Sequence, residues 1–221
     1  MALLSERDKE AIREKLGEME RSVKLLVFTQ EGAECRYCKE TKELIEELAE
    51  LSDKLSAEVH LLEEKEAADK YGVDKVPAIV LLDGEGNDLG VRFFGIPSGY
   101  EFATLLEDIL IVSKGETGLS DRTKRALSQL KREVHIQVFV TPTCPYCPMA
   151  ASLAHRMAIE SDKVRADVVE ASEFPHLAVK YQVRAVPKIV INELLWIEGA
   201  VPEGQLLGEV AKAGGLDLSQ I

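Results

Sequence analysis

The 221-residue sequence predicts an α/β protein of two tandem units, each a mixed four-stranded sheet flanked by helices. Three observations carry that prediction. Cys-x-x-Cys occurs twice, as Cys35-Arg36-Tyr37-Cys38 and Cys144-Pro145-Tyr146-Cys147, each time between an apolar run and a helix-forming stretch. Residues 70–80 match residues 180–190 at seven of eleven positions, and Pro77 and Pro187 lie 110 apart where Cys35 and Cys144 lie 109 apart. Around these landmarks each half runs helix, strand, helix, strand, helix, strand, strand, helix in its apolar periodicity.

The first half opens with a helix over 5–19, with Ser5 as N-cap and Leu4, Ile12, Leu16 and Met19 facing inward. Val23–Thr29 is an apolar strand, and Glu31-Gly32-Ala33 a loop leading to Cys35. Leu44, Ile45, Leu48 and Leu51 mark one face of a helix over 39–51. A strand over 57–63 and a short helix over 64–71 follow, stopped at Gly72. Pro77 opens a third strand to Leu82, and the turn 83–87 folds it back into a fourth over 89–94. Ser98 and Glu101 read as a capping box for a helix to about Val112.

Gly115-Glu116-Thr117-Gly118 is the most linker-like stretch, dividing a unit 1–117 from a unit 118–221. The second unit repeats the order: a helix over 120–131, the strand Val134–Val140 and a helix over 149–159. On that helix Met149, Met157, Ala150, Leu153, Ala154, Ala158 and Ile159 read as a wide core-facing side. Val164–Glu170 is a strand and 172–181 a short helix. Strands over 187–191 and 194–198 and a closing helix, Glu203–Ala213, complete the unit.

Composition narrows the function. A net charge of −12 argues against nucleic acid as a partner. No run approaches the roughly 18 apolar residues that a membrane helix needs, so no membrane partner is expected. Residues 1–16 alternate apolar with charged side chains and lack the apolar core of a secretion signal, so the expected location is cytoplasmic. There a Cys-x-x-Cys is more often redox-active or metal-binding than structural. Two asparagines against 27 basic and 39 acidic side chains resemble the composition of a heat-adapted protein.

Cys35 and Cys144 fall where a strand hands over to a helix N-terminus. The unpaired N–H groups and the helix dipole there favour thiolate over thiol. The two-residue spacing predicts two separate bridges, Cys35–Cys38 and Cys144–Cys147. In thiol exchange Cys35 and Cys144 would be the exposed attacking thiolates, and Cys38 and Cys147, one turn further in, the resolving thiols. Charge differs between the sites. Residues 1–115 are net −11 and 116–221 net −1; Glu31, Glu34 and Glu40 surround Cys35, partly offset by Arg36 and Lys39, whereas 134–155 holds no Asp, Glu, Lys or Arg. Cys144 is therefore expected to be modestly the more acidic.

With the dithiol at the first strand–helix junction, each half resembles the thioredoxin fold. Two such units in tandem, over nearly the whole chain, look like the protein disulfide oxidoreductases of heat-loving prokaryotes, which are similar to glutaredoxin and to the active units of protein disulfide isomerase. Cys-Pro-Tyr-Cys is the glutaredoxin-type motif; Cys-Arg-Tyr-Cys is less typical. The resemblance implies that Pro77 and Pro187, 39 and 40 residues after Cys38 and Cys147, are cis and face the dithiols. The backbone of Val76 and Val186 would then pair with an extended client segment. It implies dithiol–disulfide exchange with client proteins. No flavin or nicotinamide fingerprint is present, so no cofactor is expected, and electrons would come from a thioredoxin-reductase-like donor or a thiol pool.

Duller readings compete with these. A zinc site shared by the two cysteine pairs is disfavoured because they begin 109 residues apart, so no metal is expected. Tyr37 and Tyr146 read as wall residues, and the four scattered histidines as surface or satisfied side chains. Glu63 and Glu170 each end the second strand of a unit, and neither can be matched to the buried acid of thioredoxin-like proteins. Reductase, oxidase and isomerase share these residues. A dedicated electron carrier to a peroxidase or reductase, and a redox-inactive binding or chaperone module, are the alternatives.

Overall fold

The computed structural model describes residues 3–32 and 35–220. Ala33 and Glu34, which the sequence places just before Cys35, lie outside the described residues. The first half contains α1 (Glu6–Leu16), β1 (Val23–Thr29), α2 (Cys38–Ala49), β2 (Leu55–Leu61), α3 (Lys65–Lys70), β3 (Ala78–Asp83), β4 (Asp88–Phe94) and α4 (Tyr100–Lys114). The second contains α5 (Asp121–Leu127), β5 (Val134–Val140), α6 (Cys147–Glu160), β6 (Val164–Glu170), α7 (Pro175–Lys180), β7 (Lys188–Ile191), β8 (Leu195–Glu198) and α8 (Glu203–Ala213).

The expected succession is present, with local shifts. β2 starts and ends two residues early, and α5 stops at Leu127. α7 begins only at Pro175, which suits a first helical turn because its missing N–H would have no partner there. Ser5 caps α1 in a full capping box with Asp8.

Within each unit two parallel strands and an antiparallel hairpin make four strands, as expected. The units then share a single sheet in the order β2-β1-β3-β4-β6-β5-β7-β8. The joint is a parallel pairing of β4 with β6, in which Val91 faces Ala166 and Phe94 faces Val169. Joining removes two open sheet edges, each of which would leave unpaired backbone groups in solvent. β1, β4, β6 and β5 all point the same way, so their C-terminal ends share one edge of the sheet.

Both faces of the sheet are covered, which explains why β1, β3, β5 and β7 read as continuous apolar runs. One face carries Leu25, Val27, Ile79, Phe93, Val138 and Ile189 against the longer helices; the other carries Leu26, Phe28, Val80, Phe94, Phe139 and Val190 near α3 and α7. α4 packs on α6 across the joint. There His155 Nδ1 meets Asp108 Oδ2 at 2.6 Å, both fully buried, with His155 edge-on to Phe93. Burial pushes the Asp108 carboxyl up, and His155 opposes that shift.

Two side-chain expectations fail. Ser98 and Glu101 form no capping box: Gly99 is the N-cap of α4, no side chain caps it, and Glu101 turns inward, 3% exposed. Gly99 holds φ +60, and a Cβ there would sit 2.3 Å from the Pro142 carbonyl oxygen. This close approach to the second unit sets the helix start, so Glu101 points to the joint instead of back to Ser98. Met149 is 64% exposed, whereas Met157, Ala150, Ala154 and Ala158 are core. It sits in the first turn of α6, on the side away from the buried Cys147 and Ala150. No helix among the described residues is long and apolar enough to cross a membrane.

Candidate active site

Each dithiol lies where β1 or β5 ends and α2 or α6 begins. Cys38 and Cys147 are the first residues of their helices, so Cys35 and Cys144 stand just before the first turn. Both pairs are bridged as expected, Cys35 to Cys38 and Cys144 to Cys147, each with Cα atoms 5.5 Å apart. The Gln30 N–H donates to Cys38 Sγ at 3.3 Å.

The repeated prolines stand opposite. Val76–Pro77 and Val186–Pro187 are both cis, and Cys144 Sγ lies 3.7 Å from the Val186 carbonyl oxygen. Each proline is held from behind in the same way: the Gly95 N–H donates to Pro77 O at 2.9 Å and the Gly199 N–H to Pro187 O at 2.8 Å. Pro77 and Pro187 are buried, and Val76 and Val186 half-buried beside them.

The surroundings of the two sites differ. Cys35 is half-buried over a 4% exposed Cys38, beside an exposed Arg36 whose guanidinium lies 5.0 Å from the Tyr37 ring centre. Cys144 is 7% exposed over a fully buried Cys147, so the expected order of exposure holds but Cys144 is itself largely covered in the bridged state. Around it Tyr146 and Met149 are exposed, an uncharged rim in place of Arg36 and Lys39.

Between the sites lies a group of carboxyls that sequence spacing does not reveal. Glu170, which ends β6 beside Val140 of β5, is 4% exposed. Its Oε2 accepts from Ser172 Oγ at 2.7 Å and from the Glu173 N–H at 2.8 Å, while Oε1 has no partner. Neither carboxyl oxygen of Glu101 has one. Burial pushes the Glu101 carboxyl up to about 7, and the charge of Glu170 adds to the shift. Glu173 is also raised by burial to about 7, with Glu170 acting the same way and Ile96 N–H and Arg36 against it. Glu63, which the sequence places at the end of the second strand, lies two residues beyond β2 and is exposed; Leu61 holds the place that Glu170 has in the second unit. The expected absence of acids around Cys144 holds along the chain, while across the sheet Glu170 stands opposite Val140, four residues before Cys144. The fold returns Glu101 to the joint that β6 and the Cys144 loop share, where the Tyr100 N–H donates to Pro142 O at 3.2 Å.

Three of the four histidines are paired with carboxylates. His60 Nδ1 lies 2.9 Å from Glu64 Oε2, His135 Nε2 lies 2.6 Å from Asp167 Oδ2, and His155 pairs with Asp108. Among the described residues no three His, Cys, Asp or Glu side chains are grouped to hold a metal ion. What the arrangement can do is thiol–disulfide exchange at two openings on one edge of the sheet.

Comparisons with known proteins agree with this geometry. A thioredoxin-like domain model matches residues 9–110, and a thioredoxin domain model matches 134–212. A protein disulfide oxidoreductase from Aeropyrum pernix K1 is 37% identical, with a TM-score of 0.89 over 96% of this chain and 94% of that one. The NTD_N/C domain of alkylhydroperoxide reductase AhpF from Enterococcus faecalis is 28% identical, with a TM-score of 0.86 over 94% of this chain and all of that domain. The corresponding F component of alkyl hydroperoxide reductase from Pseudomonas putida is 24% identical over 193 residues, 87% of this chain and 34% of that protein. The chain spans about a third of the length of the curated relatives it matches.

Proposed function

As the chain belongs to the protein disulfide oxidoreductases built from thioredoxin-like units, a family of thioredoxin-fold oxidoreductases, we propose that it exchanges disulfides with client proteins at both Cys-x-x-Cys sites. The observation that carries this reading is the duplication of a whole constellation: a bridged dithiol at a helix start with a cis Val-Pro repeated in each half. Cys35 and Cys144 attack, and Cys38 and Cys147, the more covered of each pair, resolve the mixed disulfide. Val76–Pro77 and Val186–Pro187 receive an extended client segment through the backbone before the proline. Units 1–117 and 118–221 each carry one site. Clients with disulfides or dithiols and a thioredoxin-reductase-like donor are the partners, in a cytoplasmic setting.

Reduction of insulin with dithiothreitol tests this. Activity should fall with Cys35→Ser and with Cys144→Ser and vanish in the double variant, whereas a redox-inactive binding module would show none that depends on cysteine. The similarity to the AhpF proteins of alkyl hydroperoxide reductase favours a second reading, a dedicated electron carrier to a peroxidase or reductase. Trapping with Cys38→Ser and Cys147→Ser separates the two: many mixed disulfides mark a general oxidoreductase, and one dominant partner marks a carrier.

A further inference from the structure

The Glu101, Glu170 and Glu173 carboxyls occupy an unusual place. Glu101 and Glu170 are 3% and 4% exposed, and both carboxyl oxygens of Glu101 and Oε1 of Glu170 meet no donor, although such groups are ordinarily hydrogen-bonded. Glu170 is within electrostatic reach of both Glu101 and Glu173, and the group lies between the two dithiol motifs. On one side Glu170 stands in register with Val140, four residues before Cys144, and the Glu101 helix starts against Pro142. On the other, a Cβ on Gly95 would lie 2.8 Å from Glu173 Oε1, and the Gly95 N–H donates to the O of Pro77, the cis proline of the first site; the Arg36 charge also works against the raised Glu173 carboxyl. The segment after β4 ties them together: Ile96 N–H donates to Glu173 Oε1 at 2.8 Å, and a Cβ on Gly95 would lie 2.6 Å from Glu170 Cβ. From β1 to β5 the sheet is four strand spacings wide, roughly 19 Å. That distance is about two Debye lengths in physiological salt, so the direct interaction between the two thiolates is weak.

We propose that Glu173, through Glu170 and Glu101, links the two dithiols, taking up a proton when the first site is reduced and so favouring the thiolate at Cys144. The inference rests on dithiol exchange at both sites. When a client dithiol reduces Cys35–Cys38, that S–S bond breaks, two electrons pass to the chain and the client leaves as a disulfide. Of the client's two thiol protons, one stays on Cys38. The other is released because Cys35 remains a thiolate, and Glu173, half-buried and open to solvent exchange, binds it. The new charge on Cys35 cancels the pull of Arg36 on the Glu173 carboxylate, which drives that uptake. The joint then carries one negative charge fewer beside the Cys144 loop. Among the described residues, the charged groups that act on this cluster are Arg36 from the first motif and the glutamates themselves; Asp108 and His155 lie further along α4 and α6 in their own pair.

The test is site-resolved alkylation of Cys144 by iodoacetamide against pH in the full chain, reduced with dithiothreitol. In wild type the midpoint should lie about 0.5 pH unit below that of Cys35→Ser, which lacks the Cys35 thiolate, giving roughly threefold faster labelling below the midpoint. In Glu173→Gln, whose side-chain oxygen still accepts from Ile96 N–H, the midpoint should be the same with and without Cys35→Ser. Glu173→Asp should restore part of the difference. Equal Cys144 midpoints in wild type and Cys35→Ser, or a difference that survives in Glu173→Gln, would overturn the link. Glu170→Gln is a second variant, expected to shrink the difference. The readout needs no client turnover, so failure to reduce insulin would count against the function and leave this measurement standing.

Discussion

The two dithiols occupy equivalent strand–helix junctions, yet the ground around them is not equivalent. The first is open and charged, with Arg36 at its rim; the second is covered, uncharged at its rim and backed by carboxyls contributed from both halves. The helix that closes each unit shows the same divergence. α4 begins at Gly99, wedged against Pro142, with Glu101 buried and unpartnered. α8 begins in the open: nothing lies within 4 Å of a Cβ on Gly204, and Glu203 accepts from Ser120 Oγ at 2.6 Å. Duplication repeated the chemistry, and the joint between β4 and β6 then gave the two copies different electrostatics.

Removing the attacking cysteines should produce the largest effects. The Cys35→Ser/Cys144→Ser protein should reduce insulin no faster than dithiothreitol alone. Of the single variants Cys144→Ser should be the slower, by roughly twofold to threefold, if its thiol is the more acidic by about half a unit. The residual rates of the two single variants should add to the wild-type rate if the sites act independently, and a shortfall measures their coupling.

A backbone contrast comes next. Gly99→Ala forces a side chain onto φ +60 and against a carbonyl oxygen 2.3 Å away, so a loss of about 2–4 kcal/mol is expected in urea unfolding. Gly204→Ala, in the first turn of α8 with open space around it, should instead be neutral or stabilise by up to about 1 kcal/mol. Equal effects would mean that the two helix starts are not distinguished by the joint.

Glu101 should mark itself in the pH dependence of stability. Its carboxyl is raised to about 7 from an ordinary 4.5, so the folded state holds a proton that the unfolded chain releases. Stability from this group is fully present below about pH 4.5 and is lost as pH rises through about 7, an effect of up to about 3 kcal/mol. Glu101→Gln should flatten that slope. Glu203 has the opposite sign: burial works against it, but Ser120 and Thr123 hold its carboxyl below the ordinary value, so its contribution is lost only in acid. Unfolding curves at pH 5 and pH 8 for Glu101→Gln and Glu203→Gln would show whether the slopes separate.

These contrasts also explain what the sequence can and cannot disclose. Periodicity and the 109-residue repeat specify every strand, because burial on both faces leaves long apolar runs such as the one through Val138, Phe139 and Val140. The bridges and their prolines are legible because short spacing and repetition carry that information. The joint is not: pairing of β4 with β6 is a contact between halves, and no local pattern in Asp88–Phe94 announces which strand it meets. Glu101 is hidden for the same reason. Ser-x-x-Glu before an apolar run is a capping signal, and only Pro142, 41 residues on, makes the glutamate turn inward. Glu170 stands out as a strand end, but the sequence offers Glu63 beside it as a second strand-end acid, and only the strand register shows that Leu61 holds the matching place while Glu63, two residues past β2, is exposed.

The smallest effect is the difference in acidity between Cys35 and Cys144. Each gains from a helix start, since Cys38 and Cys147 open α2 and α6. At the first site Glu31 and Glu40 oppose a thiolate, and Arg36, exposed beside it, returns part of the loss. At the second, local charge is absent, but Glu170 faces the strand that leads to it and Cys144 is covered, which penalises charge. Glu101 and Glu173 titrate near 7, so below neutrality they are largely uncharged and leave the helix dipole to act on Cys144. Screened exposed carboxylates are worth about 1 kcal/mol, so Cys144 should be the more acidic by less than one unit below pH 7. The gap should narrow above pH 7 as Glu101, on the helix that starts against Pro142, ionises. Alkylation of both thiols in one fully reduced sample, resolved by fragment-ion mass spectrometry, measures the gap directly. A lower midpoint for Cys35 would mean that burial of Cys144 outweighs the charge difference.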